Sequence, residues 1–225
     1  MMRTTINCVI CVFIFNNPIC GQTLRLWAGA SATKSVHRKV DLSLELQHRW
    51  NGTTGRIEAF FVEPSVKYEP IRNLLFGFAW RFSNTLDDKK DVWYLRHRPE
   101  IDLELRHRWK SWQPFVRLRY QARYSTLDGV SNPWLLHFRS KAGIKYSWPN
   151  GKGRNTLFGE CWWPLNRSDR QQPDHYRLGL STSIALGKQH EISLQLAFEE
   201  RFRAGSDFQS FIVGIFYSFC SAPSE

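Results

Sequence analysis

The sequence predicts an all-β protein: a transmembrane up-and-down antiparallel β-barrel of ten to twelve strands, built as one domain. Three observations lead there. Apolar and polar residues alternate with a period of two over segments of about 10 residues, the sequence sign of a membrane-crossing strand. Short connections alternate along the chain with longer polar ones. Large aromatics, drawn from ten Trp and sixteen Phe, gather near the predicted strand ends, where an interfacial girdle would place them.

The elements follow in order. Residues 1–21 read as a cleaved secretory signal, with Arg3 as the positive start, an apolar core over 8–15, and Gly21 at the cut. That core is too short to span a bilayer as a helix. The barrel occupies 22–219, followed by a short tail over 220–225. Weak strand signals cover 24–31, 57–68 and 156–163. Strong alternation marks Leu42, Leu44 and Leu46, then Leu74 to Phe82, then Ile101, Leu103 and Leu105, then Val116 to Tyr124. It continues through Leu136 to Tyr146, Leu178 to Leu186, Ile192 to Phe198, and Phe211 to Phe219. These segments make about eleven candidates, and the even number usual in bacterial barrels tilts the expectation to twelve. Tight connections near 69–73, 110–113, 149–154 and 187–190 read as periplasmic turns, and longer ones near 84–91, 125–133 and 164–174 as extracellular loops.

Composition narrows the function classes. Of 225 residues, 42% are hydrophobic and the formal charge is +11, which argues against disorder and toward an acidic partner. Nucleic acid is excluded by the expected compartment and by the lack of an exposed basic module. Cys161 and Cys220, the cysteines left after signal removal, form neither a disulfide framework nor a zinc motif. No cofactor is expected.

Two copies of Glu-x-x-His, at Glu45–His48 and Glu104–His107, would suit a di-iron site on helices. On strands, residues three apart point to opposite faces, so the metal reading fails on geometry. An inward charge network takes its place. It comprises the cations Arg49, Arg81, Arg106, Arg108, Arg117, Arg119, Arg123, Arg139, Lys141, Lys145, Arg177 and Arg201. Its acids are Glu45, Asp102, Glu104, Glu160 and Glu199, with Glu63 and Glu191 at matching parity. A structural ion-pair lattice is one reading, and a cation-biased pore or pocket for a small anionic solute is the other. The interface aromatics are Trp50, Trp80, Trp109, Trp134, Trp148, Tyr217 and Phe219. A catalytic reading finds His137 at inward parity but no nucleophile elbow beside it, so the chain is expected not to be an enzyme.

The segment Gly214-Ile-Phe-Tyr217-Ser-Phe219 resembles the C-terminal signal read by the barrel-assembly machinery. It departs from that pattern at Ile212 and in the tail past Phe219. The whole mature chain resembles the outer-membrane family called domain of unknown function 2490. The likeness lies in Leu26-Trp27, the strand around Glu45-Leu-Gln-His48-Arg49, Arg117-Leu-Arg119-Tyr, Phe158-Gly-Glu160 and Tyr176-Arg177-Leu-Gly179. This resemblance implies a barrel and supplies no activity. The expected role is a small pore or structural barrel in the bacterial outer membrane, in contact with outer-membrane lipid and lipopolysaccharide. The alternatives are a binder of anionic envelope components such as lipopolysaccharide phosphates, and a lipid-modifying enzyme.

Overall fold

The computed structural model describes residues 22–87, 90–127, 134–166, 173–202 and 208–221. The expected signal at 1–21 and the last tail residues, 222–225, lie outside them. The strands are β1 (Gln22–His37), β2 (Val40–Asn51), β3 (Arg56–Ile71), β4 (Leu74–Asp87), β5 (Val92–Arg106) and β6 (Trp112–Ser125). They continue with β7 (Trp134–Ser147), β8 (Gly153–Pro164), β9 (His175–Ala185), β10 (His190–Arg201) and β11 (Phe208–Ser221). Each pairs with its neighbours in sequence, and β1 pairs with β11 to close the barrel.

Eleven strands stand where the even-number rule favoured twelve, and they coincide with the eleven segments of the sequence reading. The odd count has a geometric consequence. In an up-and-down meander the first and last of eleven strands run the same way, so the closing β1–β11 pair is parallel. The barrel is therefore not antiparallel throughout. Ala28 sits opposite Ile215, and Gly29 opposite Phe216, along this seam. A Cβ on Gly29 would come within 2.9 Å of the Phe216 ring, so only glycine lets that ring lie across the closure.

The connections separate by end. Turns at 38–39, 72–73, 107–111, 148–152 and 186–189 share one end, which we call the short-turn end. The connections at 126–133, 165–174 and 202–207 lie at the other, the long-loop end, together with tighter ones at 52–55 and 88–91. The expected alternation holds for the connections at 126–133, 165–174 and 202–207, whereas the longer loop expected near 84–91 is strand as far as Asp87, followed by a four-residue connection.

The outer wall is apolar and open. Leu42, Leu44 and Leu46 on β2, Phe76 and Phe78 on β4, Leu194 and Leu196 on β10, and Val213 and Ile215 on β11 are all exposed. Ile101 keeps 59% and Leu178 56% of their surface accessible. The interior holds the opposite parity, and its most deeply buried side chains include Glu100 and Glu199. This inverts the plan of a water-soluble domain, in which charged groups face out.

Aromatics gird this wall. At the long-loop side a ring chain runs Trp80–Phe82–His97–Tyr124–Trp134, with centroids 5.1–6.4 Å apart. Trp50 meets His48 at 4.0 Å. At the short-turn side lie Trp109, Trp112 and Trp148, with Tyr217 and Phe219 both against His190. Trp80 departs from its expected place at a strand end. It lies midway along β4, opposite Pro99, and supports the girdle by stacking on Phe82.

Candidate functional site

The lumen is built by the inward residues of every strand, because a pleated strand sends alternate side chains to opposite faces. Glu45 lines the lumen, whereas His48 packs outside on Trp50 and Phe60. The two members of that Glu-x-x-His motif therefore stand on opposite sides of the wall.

Three carboxylates organise the interior charge. Glu100 receives Arg98 and Arg119, and Arg119 also grips Asp102 through two hydrogen bonds of 2.5 and 2.6 Å. Glu160 accepts Arg139 at 2.7 Å and Arg117 at 3.1 Å, with Arg177 at 3.8 Å. Glu199, with no exposed surface, receives Arg177, Arg201 at 2.7 Å and Arg25 at 3.4 Å. Arg81 bonds Glu63 at 2.5 Å. Burying a charge is costly unless it is paired in this way.

Aromatic faces carry further cations, an arrangement favourable where water is scarce. Arg49 lies 4.1 Å from the Trp27 ring centre, and Arg81 lies 3.6 Å from that of Phe61. Lys141 lies 3.7 Å from the ring centre of Phe158. The close fit of Phe158 requires glycine opposite it, since a Cβ on Gly179 would fall 2.4 Å from the ring tip.

A cavity of about 850 Å³ runs from the long-loop end past the barrel's midpoint. Arg49, Arg96 and Lys141 line it, and among the described residues none of the three has a carboxylate within ion-pair distance. Arg49 has instead a 3.0 Å bond to Gln47. The Nε atoms of Arg49 and Arg96 are buried with no hydrogen-bond partner among the described residues. Such donors are rare in folded proteins and invite an acceptor.

The short-turn end of the lumen is different. Hydroxyl pairs Ser31–Ser218 at 3.0 Å, Thr33–Ser43 at 2.9 Å and Ser183–Ser193 at 2.7 Å bridge neighbouring strands there. The ion pairs Arg106–Glu69, Lys145–Glu104 at 3.9 Å and Arg154–Glu191 at 3.2 Å lie among them.

At the long-loop mouth, Asp174 precedes β9 and accepts hydrogen bonds from His137 Nε2 at 3.0 Å and His175 Nδ1 at 2.7 Å. Burial alone would raise its pKa, but the two imidazole donors outweigh burial and hold it below the ordinary carboxylate range. His175 also stacks on Trp162 at 3.8 Å.

Of the predicted network, Arg108 is the exception. β5 ends at Arg106 and the chain turns, which leaves Arg108 exposed outside the barrel. Arg123 and Arg201 line the cavity. Sequence reasoning missed Arg25, Arg96, Arg98 and Glu100, and the inward aromatics Trp27, Phe61 and Trp162. The first half of β5 carries Leu95, His97 and Pro99 outward, which hides the apolar alternation that would have exposed Arg96, Arg98 and Glu100.

Comparison with known proteins adds three findings. The family model described as "Protein of unknown function (DUF2490)" matches residues 24–209. No curated protein matches. Among solved structures, an anion-selective porin from Comamonas acidovorans aligns with 12% identity and a TM-score of 0.39, covering 81% of this chain. The chain spans about half the length of that porin, 53%.

Proposed function

The chain belongs to the DUF2490 family of proteins of unknown function, and we propose that it is a non-catalytic outer-membrane barrel whose lumen takes up and passes small anions. The observation that carries this reading is the set Arg49, Arg96 and Lys141, cavity-lining cations without a carboxylate partner among the described residues. A lattice serving stability alone would pair its buried cations, as Glu100, Glu160 and Glu199 do for their neighbours. Surplus positive charge lining a water-accessible cavity is what selects anions in a pore.

The exposed apolar wall supports the membrane setting. A contiguous apolar surface of this extent needs a non-aqueous neighbour, and a closed barrel leaves no backbone edge unpaired in lipid. On this reading the short turns face the periplasm and the long loops the outside, residues 1–21 serve export, and the segment ending in Phe219 addresses the assembly machinery.

The test is a planar-bilayer recording under a potassium chloride gradient. Small steps with a reversal potential favouring chloride are expected, and Lys141→Gln with Arg49→Gln should weaken that preference. A protein that shifts on heating in gels, as folded barrels do, yet conducts nothing or prefers cations would overturn the passage.

The hydroxyl-paired short-turn end favours a second reading, a cup open to the long-loop side that binds an anionic envelope component such as a lipopolysaccharide phosphate. Saturable binding of inorganic phosphate without conductance would select it.

A further inference from the structure

The outer surface at the short-turn end carries charge of one sign. Its turns hold Arg38 and Lys39, Arg72, Arg108 and Lys110, Lys152, and Lys188, all exposed, and no Asp or Glu. Lys39 donates to the Pro70 carbonyl at 2.9 Å. Among the described residues the others have no carboxylate partner. Of the acids near this end, Glu69, Glu104 and Glu191 are taken by Arg106, Lys145 and Arg154, and Asp41 accepts a 2.6 Å hydrogen bond from Ser35. At the long-loop end, by contrast, the exposed Arg56 is paired with Asp91.

One stretch of this collar adjoins an apolar groove. Trp109, Trp112, Pro114 and Ile144, with His107, line a shallow depression of about 620 Å³ on the outside of the wall. Trp109 and Trp112 exchange backbone hydrogen bonds of 2.8 and 2.9 Å, which closes a tight turn with Lys110 at its tip. Lys110 has φ of 52°, a left-handed conformation unfavourable for a residue with a Cβ and held only by surrounding structure. Its ammonium lies 5.9 Å from the Trp109 ring centre, and Arg108 precedes that ring in the chain.

We propose that this groove and its cations form a site for one anionic glycerophospholipid. An acyl chain lies along Trp109, Trp112, Pro114 and Ile144, and the headgroup phosphate is held by Arg108 and Lys110. The occupant follows from the two halves together. A soluble anion would have no use for the indole-lined groove, and a neutral hydrocarbon would leave both cations without a partner. The indoles at the boundary between apolar wall and polar turn suit the headgroup level. The proposal rests on the membrane reading given above and adds a lipid class to it.

Native mass spectrometry of the detergent-solubilised full chain, titrated with phosphatidylglycerol and separately with phosphatidylcholine, tests this. Cations near an anionic lipid surface each strengthen binding, so one phosphatidylglycerol should bind roughly thirtyfold more tightly than phosphatidylcholine. The preference should fall as ionic strength rises. Arg108→Gln with Lys110→Gln should abolish the preference, and Trp109→Ala should weaken retention of both lipids. The Lys188→Gln variant, elsewhere on the collar, should bind like the parent. Equal affinity for the two lipids, or a double variant that still prefers phosphatidylglycerol, would overturn the site while leaving the membrane reading intact. A chain that fails to insert into phosphatidylglycerol-containing vesicles would overturn both.

Discussion

Arg177 and Glu199 stand directly opposite each other across the β9–β10 pair, and Arg177 reaches Glu199 through both Nε, at 3.0 Å, and Nη2. The same guanidinium lies 5.0 Å from the ring centres of both Trp27 and Trp162. One pair thus ties the β9–β10 wall to aromatic side chains from β1 and β8. Glu199→Gln would take the shared carboxylate from Arg25, Arg177 and Arg201, of which Arg25 keeps Glu58 and Arg177 the longer contact to Glu160, so a loss of about 3–5 kcal/mol is expected. Urea unfolding in lipid vesicles, followed by Trp fluorescence, measures it. Asp91→Asn, which breaks the exposed pair with Arg56, should change stability by less than about 1 kcal/mol. Equal effects from the two substitutions would refute the central place given to Glu199.

The parallel closure is open to direct chemical test. In a chain lacking Cys161 and Cys220, Ala28→Cys with Ile215→Cys places two thiols at directly opposed positions of the seam. Mild oxidation should produce one intramolecular disulfide and a faster-running band. A barrel closed by a twelfth strand between β1 and β11 would hold these residues beyond bonding reach, and no such band would form.

Gly179→Ala should destabilise the barrel by about 1–3 kcal/mol, because the new methyl group meets the tip of the Phe158 ring. Phe158→Leu removes those ring atoms. The double variant should therefore lose less than the sum of the single ones, a coupling readable by denaturant melts. Strict additivity would show that the ring and the glycine do not constrain each other.

Asp174 sets an acid limit. Its pKa is held below the ordinary carboxylate value by donors from His137 and His175, so its stabilising contribution is complete above about pH 3.9, where the unfolded side chain is ionised. That contribution is lost as pH falls further, through the folded value. Asp174→Asn should lower stability at pH 7 and flatten the acid limb below about pH 4. An unchanged acid limb would mean that other carboxylates carry the whole effect.

Much of this architecture was legible because the outer face is written in large apolar residues at every second position. Leu42, Leu44 and Leu46, or Val213 and Ile215, announce a strand and its orientation at once. The strand count was legible too; an external rule about even numbers displaced it. Inside the lumen, parity identified the residues but not their partners. Glu160 stands in register with Lys141 and Arg177, yet its hydrogen bonds come from Arg139 and Arg117. Long guanidinium arms reach diagonally, so pairing depends on tilt and rotamer, which spacing does not encode. Arg108 shows the opposite limit: parity counted past the end of β5 assigns a side to a residue that has left the sheet.

The odd strand number also governs topology as seen from the two sides of the barrel. Gln22 opens β1 at the long-loop end and Ser221 closes β11 at the short-turn end, so the two ends of the barrel's strand run lie on opposite faces. With the orientation proposed above, an epitope fused ahead of Gln22 would be displayed on the surface of intact cells, whereas one fused after Ser221 would stay hidden from antibody until the envelope is breached.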